Sequence, residues 1–112
     1  MKLITAKILK QLKKNHKKVS ETGESTPIVL KLFGGSNKTW LINDIEDDDD
    51  TLWGLCDIGM GCCEYGTVSL SELKNARFPP FGLGVERDMY FTGGTVEEFN
   101  SYYEENNSLN GC

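Results

Sequence analysis

Glu86, Arg87 and Asp88 stand in a row between the glycines at 82 and 84 and the aromatic residues Tyr90 and Phe91, in a chain of 112 residues. In an extended segment adjacent side chains alternate faces, so Glu86 and Asp88 share one side with Arg87 opposite. Two carboxylates on one side can divide acid and base work if a sheltered cleft raises the pKa of one of them. The competing reading makes Arg87 the partner of an acid elsewhere in the fold, anchoring the segment. That reading is preferred, because no nucleophile motif or phosphate-binding loop accompanies the triplet.

Four cysteines and one histidine are the other residues with chemistry to offer. Structural zinc usually takes two close pairs of ligands, and Cys56, Cys62 and Cys63 with a remote Cys112 do not have that spacing. A Cys–His nucleophile would need an activating neighbour, and nothing marks one cysteine as paired with His16. The acidic run Glu46, Asp47, Asp48, Asp49, Asp50 is consecutive, whereas a calcium-binding EF-hand loop alternates its acids and needs glycine at its sixth position. It reads as a solvated hairpin tip, with a clustered negative potential for a basic partner as the functional alternative. The glycine pairs at 34–35 and 93–94 form no nucleotide-binding pattern and are taken as turns. No metal and no cofactor are expected.

Charge is divided sharply along the chain. Seven of the 12 basic residues fall within residues 1–18, which hold no acid, so residues 19–112 carry five bases against all 17 acids, a net of −12. Lys7, Lys10, Lys13, Lys14, Lys17 and Lys18 project opposite Ile4, Ile8 and Leu12 on a helical projection. A phosphate backbone could lie along Lys10, Lys13, Lys14 and Lys17. Aromatic residues are absent there, as are the side chains that usually read bases, so a solvated face compensating the acidic body is preferred.

The elements that would position these groups follow from pattern. Thr5 caps a helix running to about Lys18, and residues 20–27 form a loop. Residues 28–33, 38–45, 51–58 and 63–69 are rich in β-branched and aromatic residues and joined by short Gly- or Asp-rich links, which is the signature of a β-meander. Ser69 with Glu72 has capping-box spacing for a short helix near 70–76, ended by Pro79 and Pro80; residues 85–91 are an extended segment. Thr95 with Glu98 repeats the spacing ahead of a C-terminal helix carrying Val96, Phe99, Tyr102 and Tyr103. The expectation is an α+β domain over residues 1–105, with a four- or five-stranded antiparallel sheet covered by the N-terminal helix and a frayed tail at 106–112. At this length about two-thirds of the unfolded chain's surface is buried on folding, enough for one core.

No apolar run approaches the ~18–20 residues that cross a bilayer. Lysines also interrupt the start too often for a secretory signal. A cytoplasmic protein with reduced thiols is expected.

"MKLIT" at the start, Y-G-x-x-S-L-x-E-L from Tyr65 to Leu73, Arg77, and G-L-x-x-E-R-D-x-x-F from Gly82 to Phe91 together resemble an uncharacterised domain-of-unknown-function family. Its members are small proteins of bacterial plasmids, conjugative elements and phages, often encoded near antirestriction genes. The resemblance covers about residues 1–91. This chain departs from the pattern in having Gly84 and Val85 where proline is expected, and in its Cys62–Cys63 pair. The resemblance implies mobile-element biology and names no reaction.

The leading expectation is a non-enzymatic binding protein acting on a host protein or nucleoprotein complex with a basic surface, as a counter-defence inhibitor of restriction or CRISPR would. Its contacts are assigned to Asp47, Asp48, Asp49, Asp50, Glu97, Glu98, Glu104 and Glu105 by charge complementarity. The alternatives are a nucleic-acid-binding accessory factor using Lys10, Lys13, Lys14 and Lys17, and an enzyme built on Glu86 and Asp88.

Overall fold

The computed structural model describes residues 2–112. In order, the elements are α1 (Ala6–Thr22), β1 (Leu30–Gly34), β2 (Lys38–Ile45), β3 (Thr51–Asp57), β4 (Cys63–Ser69), α2 (Leu70–Asn75), β5 (Glu86–Arg87) and α3 (Val96–Asn106). The strands form one antiparallel sheet in the order β4-β3-β2-β1-β5. The α+β architecture is the expected one, and β5 is the fifth strand, returning from the far end of the chain to pair with β1.

Capping defines the helices. Thr5 Oγ1 accepts from the amide of Ile8 at 3.2 Å, and α1 ends where Gly23 takes a left-handed φ of 71° and donates to Val19 O. The helix runs past Lys18 because none of residues 18–22 is suited to that conformation and Gly23 is. Ser69 caps α2, and Thr95 with Glu98 forms a complete capping box on α3.

Both faces of the sheet are covered. Leu30, Leu32, Trp40, Ile42 and Leu52 pack against Leu12 of α1 and Leu70 and Leu73 of α2. Leu41, which alternates with Trp40 and Ile42, points to the opposite face, where it meets Leu55, Ile28, Phe99 of α3 and Leu109. This is why β2 is buried almost throughout, as a central strand between two layers must be. Between Ile42 and Asp44 its register slips by one residue. At this bulge Asn15 of α1 donates to Asn43 O at 2.8 Å while Asn43 Nδ2 donates to Thr26 O and Tyr65 donates its hydroxyl to Asn43 Oδ1. The buried amides are thus paired, as burial demands.

The tail at 106–112, expected to fray, is built into the fold. Leu109 is fully buried, and its amide donates to Asp57 Oδ2 at 3.0 Å. Thr39 Oγ1 donates to Asn110 Oδ1 at 2.8 Å, and Lys31 Nζ donates to the carbonyls of Asn110 and Cys112 at 3.1 and 2.9 Å. Lys31, Thr39 and Asp57 are buried polar residues in the strands. They need partners away from water, and the tail supplies them while Leu109 fills the apolar surface.

The extended segment expected at 85–91 is shorter than its pattern. Only Glu86 and Arg87 pair with β1, opposite Phe33 and Leu32. Asp88 still donates its amide to Lys31 O at 3.0 Å, but its carboxylate then accepts from the amide of Tyr90 at 2.9 Å and turns the chain away.

Candidate functional site at the β5 edge

The Glu-Arg-Asp triplet sits on the outer edge of the sheet, and each member has a different neighbour. Arg87 Nη1 donates to the carbonyl of Lys2 at 2.9 Å, so it ties the start of the chain to β5 rather than pairing with an acid of the meander. Asp88 lies 3.8 Å from Lys31 Nζ, as well as capping the turn at Tyr90. Glu86 is exposed and lines a separate, smaller hollow beside Phe78 and Pro79. The two carboxylates therefore do not converge in one sheltered cleft, which acid–base work between them would require.

What the edge does assemble is a basic and aromatic surface. A cleft of about 540 Å³ runs between the β1–β2 turn and residues 87–90, lined by Lys31, Lys38, Arg87, Phe33 and Tyr90 among others. It continues into a second hollow of about 410 Å³ that shares Lys31 and Arg87 and adds Lys7 of α1. On the other side of the 82–85 segment, Lys2, Lys74 and Arg77 line a third of about 660 Å³. Three of the five basic residues of the acidic body, Lys31, Lys38 and Arg87, thus border the first cleft, while Lys74 and Arg77 border the third. Beside the clefts stand large side chains in water, with Phe81 81%, Tyr90 92%, Leu83 65% and Met89 66% exposed. Lys38 Nζ lies 5.3 Å from the centroid of the Phe78 ring, a cation–π approach on the same rim. Contiguous exposed apolar groups rimmed by charge mark interaction surfaces.

The acids assigned to binding are not gathered into one patch. Asp48 accepts from the amides of Asp50 and Thr51 and from Thr51 Oγ1, closing the β2–β3 turn. Asp50 accepts from Ser69 Oγ at 2.7 Å and from the amide of Ser71 at 2.8 Å, fastening the tip to the start of α2. Asp49 pairs with Lys13 at 2.8 Å, and Asp47 is exposed. Glu97, Glu104 and Glu105 are exposed on α3, across the sheet from α1 and α2, and Glu98 serves the α3 cap. Of the lysines assigned to phosphates, Lys10, Lys14 and Lys17 point to solvent while Lys13 already has a carboxylate. The basic helix and the acidic tip are neighbours, so the two charge blocks meet instead of lying at opposite poles.

The hydrogen bonds at the tip have a pH signature. Thr51, through its hydroxyl and then its amide, together with the amide of Asp50, holds the Asp48 carboxyl down to about 2 from an ordinary 3.8. A depressed folded pKa contributes stability that is present above the unfolded value and is lost as pH falls through the folded one. The denaturation midpoints of the wild type and Asp48→Ala should differ at about pH 6 and converge as pH approaches about 2. A gap that persists at the acid end would show that the neutral carboxyl holds the turn equally well.

Three of the four thiols are poorly placed for nucleophilic work. Burial pushes Cys56 and Cys63 up to about 11, and burial also raises Cys112. Protonated thiols are weak nucleophiles at neutral pH. His16 Nδ1 lies 3.3 Å from Asp44 Oδ1, whose carboxyl is pushed up by burial against the pull of His16. Among the described residues no three of His, Cys, Asp and Glu are grouped to hold a metal ion. No helix among them is long and apolar enough to cross a membrane.

Fold and edge together define an α+β domain with helices on both faces of one antiparallel sheet, whose β5 edge is bordered by cations and exposed rings. Residues 3–110 match the family described as "Protein of unknown function (DUF2958)", and the chain belongs to that family. The match takes in residues 65–73, 77 and 82–91, the last three residues of the opening MKLIT, and also α3 and most of the tail. No curated protein and no solved structure matches the chain.

Proposed function

We propose that this chain is a non-enzymatic binding protein of a phage or mobile element, and that it engages a host macromolecule through the β5 edge as a counter-defence inhibitor would. The observation that carries the reading is the set of four large apolar side chains, Phe81, Leu83, Met89 and Tyr90, held in water beside the clefts. Such groups cost solubility, and a contact surface is the usual reason to keep them together. The mobile-element setting is supported by the family resemblance of the motifs at 65–73 and 82–91. Catalysis is disfavoured by the separation of Glu86 from Asp88 and by the raised thiols.

Partner recovery from a host lysate tests the reading. Wild-type protein should retain a stoichiometric macromolecule that a Phe81→Ser, Tyr90→Ser variant loses, while replacing Asp47 and Glu97 by their amides leaves recovery intact. Equal recovery by the edge variant, with loss in the amide variant, would return the contact to the acidic residues first assigned to it.

A further inference from the structure

We propose that the β5 edge is a binding site for single-stranded nucleic acid, with phosphates on its lysines and bases stacked on its exposed rings. The inference rests on the reading of the edge as the contact surface and names the partner. Non-sequence-specific single-strand binders combine a basic groove that follows the backbone with aromatic side chains that take successive bases. The lysine face of α1 has the first feature and lacks the second. The β5 edge has both.

The cations are laid out as a track. Lys7 borders the smaller hollow, Arg87 and Lys31 border both hollows, and Lys38 borders the larger one. Lys31 and Arg87 already donate to carbonyl oxygens, so phosphates would be met at the two ends of the track, by Lys7 and by Lys38, whose ammonium donates to the exposed Asn37 side chain at 3.4 Å and lies over Phe78. Asp88 is the acid bordering these two hollows, and Lys31 stands beside it. The aromatic component is independent of this charge pattern. Tyr90, 92% exposed, stands in the wall of the larger cleft with part-exposed Phe33, and Phe81, 81% exposed, stands in the adjoining hollow, which shares Phe33 and has Glu86 in its wall. Asn37, Ser36 and Asn110 in the wall of the larger cleft offer amide and hydroxyl groups to base edges.

Three considerations decide between partners. A duplex keeps its base faces stacked on one another, so exposed rings gain nothing from it, whereas an unpaired strand can splay its bases onto them. An acidic protein would satisfy the lysines but would leave two fully exposed ring faces without flat partners. The chain's net charge of −5 opposes any polyanion at long range, but with a Debye length of about 8 Å at physiological salt the local cations govern contact.

Fluorescence anisotropy with a labelled oligothymidine of ~16 nucleotides, the upper range of single-domain site sizes, tests the inference. Binding at low salt should weaken as salt rises. Phe81→Ala with Tyr90→Ala, both at exposed positions, should weaken it about tenfold or more, since each stacked base contributes about 1–3 kcal/mol. Lys7→Gln with Lys38→Gln should make the logarithmic salt slope shallower by about 1.4, the value for two single-strand phosphate contacts. Lys10→Gln with Lys14→Gln and Lys17→Gln should leave affinity within about twofold, because these lysines lie off the track. The inference is overturned if the oligothymidine is ignored at low salt, or if its binding survives the aromatic change and is lost with the α1 lysines. A parallel titration with labelled polyglutamate separates the two readings. If polyglutamate binds through Phe81 and Tyr90 while the oligothymidine does not, the nucleic-acid inference fails and the edge remains a contact surface, with an acidic protein as its partner.

Discussion

Gly54→Ala is expected to destabilise the domain by ~3 kcal/mol or more, at the upper end of what overpacking costs. Gly54 lies in β3 opposite Ile42, where the β2 register is about to slip. A Cβ built there would stand 1.9 Å from Leu41 O, 2.7 Å from Leu41 C and 2.8 Å from Ile42 Cα. All three are backbone atoms, so no rotamer change relieves the overlap; the two central strands must separate. That motion would disturb Leu41 and Ile42, which face the two different cores. Gly66, on the outer strand β4, is the internal control, because a Cβ there meets nothing within 4 Å. Gly66→Ala should be neutral or slightly stabilising, since glycine costs more entropy on ordering than alanine. Urea denaturation of both variants checks the contrast; equal midpoints would mean that the bulge relaxes freely and does not depend on a bare backbone.

Much of the fold was legible because it is written in local pattern. Ile4, Ile8 and Leu12 opposite lysines specify a helix with one buried side, and the Ser69 and Thr95 caps lie where their spacing places them. The second apolar layer was harder to see, because burial on both faces erases the alternation that would have shown which face was free. The tail was missed for a related reason. Leu109 is one apolar residue among polar ones, and the tail's anchorage comes from strand residues 52 to 81 positions away in sequence, with Lys31 in an otherwise apolar strand as the one visible hint. The acidic run was read as solvent-facing charge, yet Asp48 and Asp50 serve as hydrogen-bond acceptors that build the turn and start α2. Consecutive acids do not reveal which of them accept from neighbouring amides and hydroxyls. The edge surface was the least legible of all. Its cations, Lys7, Lys31, Lys38 and Arg87, form no run, and Arg87 joins the others only because β5 crosses back to pair with β1.

Lys31→Met is expected to detach residues 109–112 while the sheet persists. Methionine fills a similar volume without the ammonium group, so the carbonyls of Asn110 and Cys112 would lose their donor and Asp88 its neighbouring cation. Removing one member of a buried charged network costs about 2–4 kcal/mol, because the remaining polar groups stay desolvated and unpaired. The tail can escape that cost by leaving the face, at the price of exposing Leu109 and opening Leu41 and Leu55 to water. Hydrogen exchange reads the outcome directly, since the Leu109 amide is protected by its bond to Asp57. Its protection should collapse, while the β2 and β3 amides paired between Leu41 and Leu55 exchange more slowly. Asn110 also forms part of the wall of the larger cleft, so release of the tail should weaken any ligand held there, even though Phe81 and Tyr90 are untouched. Unchanged protection at Leu109 would show that Asp57 and Thr39 suffice to seat the tail, and Lys31 would then be left as a counter-charge to Asp88 alone.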